Sequence, residues 1–139
     1  MTDSRNAATA ALVLRLSLGT MFIAHALLKY FVFTLPGTAQ FFTSLGLPGL
    51  LGYATFWAEL VGGFLLIVGV KTRIVSLALV PVLIGATWAH AGNGWLFSAP
   101  NGGWEYPAFW TITLLVQALL GDGAYALRAS YTPARRQAA

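Results

Sequence analysis

One apolar run, Leu12 to Phe33, constrains this chain most, because it is long enough to cross a bilayer yet contains Arg15, His25 and Lys29. A helix of about 20 apolar residues spans the hydrocarbon core. A charge near its centre costs roughly 2.5 to 3.5 kcal/mol on insertion scales, so such residues usually face a protein interior. On an α-helix the three side chains fall within an arc of about 80°. We therefore expect one face of this helix to be hydrated or paired.

Three further apolar runs follow the first. Only 9% of the 139 residues are charged, against roughly 25% in a soluble domain. The sequence therefore predicts an all-α fold, an integral membrane four-helix bundle, with a single domain spanning 1–139. The predicted helices lie at about 10–33, 49–70, 74–91 and 105–127.

Basic residues predict the orientation of this bundle. The two long loops, 34–48 and 91–104, contain no Lys or Arg. The basic residues lie instead near the N-terminus, in one short turn and in the tail, at Arg5, Lys71, Arg73, Arg128, Arg135 and Arg136. By the positive-inside rule both termini are predicted to be cytoplasmic, which makes the protein multi-pass.

The first long loop is rich in residues that break helices. Segment 34–48 contains Pro36, Gly37, Gly46 and Pro48, no charged residue, and the apolar pair Phe41-Phe42. Because Pro and Gly interrupt helices, this segment is predicted to be a loop. Its apolar side chains predict a position at the membrane surface.

Glu59 is the single charge in the second apolar run, and Gly62 and Gly63 follow it. Small residues let a neighbouring helix approach closely, which would bring a cation towards this carboxylate. Arg15 is favoured as that partner, or as a side chain that snorkels to the interface. Lys29 could equally be an interfacial anchor.

Depth along the helices predicts where the polar groups meet. At 1.5 Å per residue, Arg15 lies about 21 Å below Lys29. Four groups are expected to converge in the outer half of the bundle, with Glu59 beneath them: His25, Lys29, His90 and Glu105. His90 could instead simply complete a helix, and Glu105 could simply begin one.

The order of the rare polar and small residues resembles the DoxX family of small bacterial membrane proteins, over about residues 11 to 128. The residues that carry this resemblance are Arg15, Gly19, Phe22, His25, Lys29, Glu59, Gly62, Gly63, Gly69, Arg73, His90 and the run Gly102-Gly103-Trp104-Glu105-Tyr106. Ala26 departs from the pattern, since a Gly often follows the first histidine. The resemblance implies a location in the bacterial cytoplasmic (inner) membrane.

The resemblance also implies quinone, which recurs among DoxX-like proteins. A quinone head group is a flat ring with two carbonyl acceptors, so it needs an apolar slot, donors and a route for protons. The predicted catalytic residues are His25, which would donate and relay a proton, Lys29, which would stabilise negative charge, and Glu59, which would pass protons. The predicted ligand-binding residues are Arg15, His90, Glu105, Tyr106, Trp57 and Trp88.

Other cofactors and partners fit the sequence less well. The chain has no cysteine. His25 and His90 could ligate one haem, but no second histidine pair exists for an electron path across the membrane. A metal site from His25, His90 and Glu105 would need closer convergence than the sequence indicates, so none is predicted. The basic residues form no stripe for nucleic acid.

Two functions therefore remain open. The first is a quinone-linked redox subunit, or an accessory to a soluble or peripheral oxidoreductase. The alternative is a membrane scaffold or a small carrier that binds a lipophilic or acidic solute without catalysis. Either kind of protein could work as a homo-oligomer in the lipid bilayer, because four helices leave little room for an active site within a single chain. Whether the protein is an enzyme stays open.

Overall fold

The computed structural model describes residues 2–127, which form five α-helices and no strand. The fold is therefore all-α, as predicted. The helices are α1 (Thr2–Phe31), α2 (Leu35–Ser44), α3 (Leu50–Val68), α4 (Thr72–His90) and α5 (Glu105–Leu120), and a 3-10 turn, Ala91–Asn93, follows α4. The predicted basic tail at Arg128, Arg135 and Arg136 lies outside the described residues.

Three helical segments in this part of the chain are long and apolar enough to cross a membrane: Asp3–Phe31, Leu50–Val68 and Thr72–Asn93. Helix α5 has 16 residues, which corresponds to about 24 Å. It ends at Leu120, before the predicted end at 127, because Gly121 follows with a φ of 85°. Helix α1 begins at Thr2, earlier than the predicted start near residue 10.

The prediction that segment 34–48 is a loop is wrong, because α2 lies within it. Pro36 stands in the first turn of this helix, where its missing N–H has no helical partner to lose and its fixed φ suits a helix start. The Thr34 hydroxyl accepts a hydrogen bond from the Gly37 amide at 3.1 Å and caps the same end. Pro36 and Gly37 therefore begin a helix here and do not interrupt one.

Helix α1 packs mainly against α3, and α4 packs mainly against α5. The predicted close approach at Gly63 is present, since a Cβ atom at Gly63 would lie 2.8 Å from the Gly19 carbonyl oxygen of α1. Tyr30 stacks on Phe56 with ring centroids 6.0 Å apart. These two contacts show that α1 and α3 are antiparallel and fix their relative register.

The core consists of apolar side chains from α1, α3, α4 and α5. They are Leu18, Phe22, Leu66, Leu79, Leu83, Trp110 and Leu114. At one end of the bundle, the segment after α5 returns to the earlier helices: the Ala124 amide donates to the Ala8 carbonyl at 3.0 Å, and the Leu127 amide donates to the Val68 carbonyl at 3.0 Å. The apolar core therefore lies between two ends that both contain buried polar side chains.

Candidate functional site

A partly buried ion pair joins α1 to α3. The Lys29 Nζ atom lies 2.7 Å from the Glu59 Oε2 atom, and the two side chains are 17% and 6% exposed. In the antiparallel register set by the Gly19–Gly63 contact, Glu59 lies about one helical turn deeper than Lys29. The flexible lysine side chain covers this difference. Small residues of α3 allow α1 to pack closely, and the cation that reaches Glu59 is therefore Lys29 and not Arg15.

His25 lies one turn before Lys29 on the same face of α1. Its Nδ1 atom is 2.9 Å from the Met21 carbonyl oxygen. Because a carbonyl oxygen only accepts, Nδ1 carries the hydrogen, and Nε2 of the neutral ring is left as an acceptor. His25 is close enough to Glu59 to interact with it electrostatically. The three predicted catalytic residues are thus neighbours in space.

Two aromatic rings from α5 flank His25. The Trp110 ring lies 4.7 Å from the histidine ring between centroids, tilted by 59°. The Tyr106 ring lies at 6.2 Å and is stacked, with an interplanar angle of 26°. Tyr106 was predicted to bind ligand, whereas Trp110 was missed. The sequence signal for Trp110 was its position four residues after Tyr106, because this spacing places both rings on one face of a helix.

The indole nitrogen of Trp110 is buried and has no hydrogen-bond partner among residues 2–127. The Trp110 side chain is 4% exposed and packs on Phe22 at 4.7 Å between ring centroids. Its Nε1 atom makes no hydrogen bond to any residue of the described range 2–127. Buried indole N–H groups usually have a hydrogen-bond partner. A donor without a partner in that range therefore lies in the aromatic group around His25.

An open depression of about 430 Å³ adjoins this group and is lined by Glu105, Tyr106 and Phe109. Tyr106 belongs to both places, because its ring contacts His25 and also forms a wall of the depression. Glu105 lies at the rim, where its Oε1 atom accepts a hydrogen bond from the Phe97 amide at 3.0 Å. A flat apolar ligand entering from the depression would meet Tyr106 before it reached His25.

Arg15 lies near the middle of α1, about 21 Å along the helix from Lys29. Its side chain is 1% exposed, and its Nη2 atom donates to the Ala124 carbonyl at 3.1 Å. A Cβ atom at Gly69 would overlap the guanidinium group. The predicted alternative of an Arg15–Glu59 pair is therefore wrong, since Lys29 pairs with Glu59. Arg15 also does not snorkel to the surface.

The remaining predicted ligand-binding residues also lie apart from the ion pair. His90 ends α4, its Nδ1 atom lies 2.7 Å from the Ala86 carbonyl oxygen, and its ring faces Gly102. Trp57 and Trp88 are exposed on the outside of the helices. No hydrogen bond or ring contact joins His90 to His25 within residues 2–127, and their convergence stays a prediction. Within residues 2–127, no group of three or more His, Asp or Glu side chains could hold a metal ion.

Comparison with known proteins bears on the identity of the chain. A family model described as DoxX matches residues 10–92. The chain is 43% identical over 75 residues to "Putative oxidoreductase CatD" of Bacillus subtilis, with 54% of each chain covered. It is 36% identical over 72 residues to an uncharacterized protein of Haemophilus influenzae, with 50% of this chain and 46% of that protein covered. The chain thus spans about half the length of these curated relatives, and no solved structure matches it.

Proposed function

Because the chain belongs to the DoxX family, we propose that it is a quinone-linked redox subunit of the bacterial cytoplasmic membrane. It would work with a soluble or peripheral oxidoreductase that supplies or accepts the electrons. One observation carries this proposal: His25 lies beside the buried Lys29–Glu59 pair and is flanked by Tyr106 and Trp110. The oxidoreductase name of the Bacillus subtilis relative is in accord with this class of function.

The topology that we propose has four membrane crossings with both termini in the cytoplasm. Helix α5 would make the fourth crossing, with the segment after Gly121 at the cytoplasmic surface. The contact between Ala8 and Ala124 supports this arrangement, because it holds both ends of the described chain at one end of the bundle. The His25 group then lies in the outer half. A reporter fused to the C-terminus should read as cytoplasmic, and an external signal would exclude this topology.

The residues around His25 fit a quinone head group. A flat ring with two carbonyl oxygens needs aromatic walls and a hydrogen-bond donor. Tyr106 supplies a wall next to the open depression, and the Nε1 atom of Trp110 supplies a buried donor. A quinone would supply the chemistry that this chain lacks, the reversible uptake of two electrons and two protons. The depression is open, and the apolar side chain of Phe109 lines it. The lipophilic tail of a bound quinone could therefore remain in the bilayer.

The side chains of this protein would hold the ligand and manage its protons. With Nδ1 bound to the Met21 carbonyl, the neutral His25 ring accepts a proton at Nε2 and returns it from the same atom. The Glu59 carboxylate, which lies 2.7 Å from Lys29, would stabilise the protonated ring. The sequence-based role of His25 as a donor therefore applies to its protonated form.

In this proposal the electrons would come from, or pass to, another protein. The chain contains no cysteine, and the described residues offer no metal-binding group. A chain of 139 residues with this composition would thus form the membrane end of an electron path that begins in a partner. Without the partner, the protein would bind quinone but would not turn it over.

Quinone binding by single-site variants tests the proposal. We expect purified protein in lipid nanodiscs to bind a short-chain quinone analogue, measured by quenching of tryptophan fluorescence. His25→Ala should weaken binding about five- to tenfold, because the ring that packs against Tyr106 and Trp110 is lost from the site. His90→Ala is the matched control, since His90 has the same bond to the carbonyl four residues earlier but lies outside the aromatic group.

Two results would contradict the redox proposal. Unchanged binding in His25→Ala would remove this group from the site. The second result is equal affinity for the quinone analogue and for a ring of the same size that has no carbonyl groups. It would indicate a general lipophilic site. That second result would favour the alternative function, a carrier or scaffold without redox chemistry.

A further inference from the structure

The open depression beside Tyr106 contains one charged side chain. Of its lining residues Glu105, Tyr106 and Phe109, only Glu105 carries a carboxylate. The Glu105 Oε1 atom accepts a hydrogen bond from the Phe97 amide at 3.0 Å, which holds the carboxylate at the rim. Glu105 forms no ion pair within residues 2–127. A ligand that enters the depression therefore passes a fixed negative charge that no cation in this part of the chain pairs with.

Basic side chains of the described part of the chain do not line this depression. Loop 91–104, which leads to Glu105, contains no Lys or Arg. Lys29 is already paired with Glu59 at 2.7 Å. Arg73 lies at the far end of α5 from Glu105, because its guanidinium donates to a carbonyl in the last turn of that helix. The 16 residues of α5 span about 24 Å. An anion in the depression would therefore have no basic side chain of the described chain to bind.

The two histidines do not supply a donor for an anion in their neutral forms. The His25 Nδ1 atom lies 2.9 Å from the Met21 carbonyl oxygen, and the His90 Nδ1 atom lies 2.7 Å from the Ala86 carbonyl oxygen. Because a carbonyl oxygen only accepts, each Nδ1 atom carries the hydrogen and each Nε2 atom is left as an acceptor. The remaining nitrogen of each neutral ring therefore suits a hydrogen-bond donor and not an anion.

The start of α5, which adjoins the depression, is also unsuited to an anion. A helix N-terminus binds anions through N–H groups of its first turn that have no helical partner. Here Pro107 has no N–H, and the Glu105 amide donates to the Trp95 carbonyl at 3.0 Å. The Glu105 carboxylate itself stands in the first turn, where a negative charge interacts favourably with the helix dipole. The partial positive charge of this helix end is therefore already offset.

We propose that Glu105 is a specificity-determining residue, which admits uncharged ring ligands to the depression and disfavours anionic ones. This role rests on the proposed function, because it specifies the charge of the ligand that reaches the site beside His25. An oxidised quinone is uncharged and meets the requirement. An acidic solute, which the sequence left open for a carrier, does not meet it. The effect is electrostatic and acts through space, so it requires no contact between the ligand and the carboxylate.

Two ligands that share a ring but differ in charge test this role. The full-length protein is placed in nanodiscs of zwitterionic lipid, and binding of naphthoquinone and of naphthoquinone sulfonate is measured by isothermal titration calorimetry against empty nanodiscs. Glu105→Gln removes the charge but keeps an oxygen that can accept from the Phe97 amide. At low salt, we expect this variant to bind the sulfonate about fivefold more tightly than the parent protein does. Its affinity for naphthoquinone should be unchanged.

Salt and a matched variant separate a local charge effect from a change in net charge. Added salt screens exposed charges, so it should tighten sulfonate binding by the parent protein and have little effect on Glu105→Gln. Asp3→Asn is the control, because it changes the net charge by the same amount. Asp3 stands in the first turn of α1, about 33 Å along that helix from His25. Asp3→Asn should therefore keep both affinities of the parent protein.

Two results would overturn the specificity role of Glu105. Equal affinity of the parent protein and Glu105→Gln for the sulfonate would show that the carboxylate does not select against anions. An equal loss of affinity for both ligands in the variant would show that Glu105 acts by holding Phe97 and not by its charge.

A second pair of ligands keeps this test distinct from the test of the proposed function. If neither quinone binds, the proposed function fails, but naphthol and naphthalene sulfonate, which have no quinone carbonyl groups, still measure the effect of charge. Tighter binding of naphthalene sulfonate by Glu105→Gln would then support the specificity role. An unchanged affinity, or no binding of either ring, would overturn that role as well.

Discussion

The two buried cations of α1 are held in different ways. Lys29 is paired with a side chain, the Glu59 carboxylate of α3, at 2.7 Å. Arg15 is held by the backbone: its guanidinium donates to the Ala124 carbonyl and lies against Gly69. A side-chain partner places two full charges of opposite sign in the interior. The carbonyl that binds Arg15 carries no full charge, and two guanidinium nitrogens have no hydrogen-bond partner among residues 2–127.

This difference has consequences for both stability and function. The Lys29–Glu59 pair carries no net charge, so each side chain stabilises the charge of the other inside the bundle. The Arg15 end depends on chain conformation, because Gly69, Gly121 and Gly123 all have positive φ, which glycine adopts at low cost. The effects of substituting Lys29 and Glu59 on stability should therefore be coupled. The effect of substituting Arg15 should depend only on the loss of that one cation.

The largest effect is expected from removing one member of the pair. Lys29→Met leaves the Glu59 carboxylate buried without a cation, which should reduce the free energy of unfolding by about 3–5 kcal/mol. The double variant Lys29→Met/Glu59→Leu should recover most of this loss, because no charge is then left unpaired. Titration with sodium dodecyl sulfate in mixed micelles would give the free energies for the full double-mutant cycle. Additive effects with no coupling would show that the pair does not act as a unit.

A smaller effect is expected at Arg15. Arg15→Met removes the cation but leaves no unpaired carboxylate, because the Asp122 Oδ1 atom still accepts from the Thr72 amide. The loss should be about 1.5–3 kcal/mol, the usual range for a hydrogen bond to a charged group. The same detergent titration measures it. A loss as large as that of Lys29→Met would contradict the difference between the two regions.

The sequence predicted the helical class and the importance of His25, Lys29 and Glu59, because charges in apolar runs are costly and Gly63 permits close packing. It did not identify Lys29 as the partner of Glu59. Depth estimates give levels along single helices, whereas the choice of partner depends on the register between α1 and α3, which the Tyr30–Phe56 stack fixes.

Three other features were also missed. Helix α2 was missed because Pro36 was interpreted as a breaker, although a proline in the first turn favours a helix. Trp110 was missed because periodicity places it in the core but does not show that its indole nitrogen lacks a partner among residues 2–127. The buried environment of Arg15 arises from the segment after α5, which was predicted to be helical and is not.

The smallest predicted effect concerns the contact that sets the register of the pair. A Cβ atom at Gly63 would lie 2.8 Å from the Gly19 carbonyl oxygen and 2.9 Å from the Ile23 Cγ1 atom. Because a backbone oxygen cannot move alone, Gly63→Ala should separate α1 from α3 and cost about 1–2 kcal/mol. Gly85→Ala is the matched control, since nothing lies within 4 Å of its Cβ position. It should be neutral or stabilise the protein by up to about 1 kcal/mol, the helix propensity of alanine over glycine.

The same variant also sharpens the comparison between the two cations. If the Gly19–Gly63 contact positions the pair, the coupling energy between Lys29 and Glu59, remeasured in the Gly63→Ala background, should fall. The cost of Arg15→Met should stay the same in that background, because Arg15 is held by Ala124 and not by a side chain of α3. A fall in both quantities would mean that the α1–α3 contact supports both ends of the bundle, and that the two cations are not held independently.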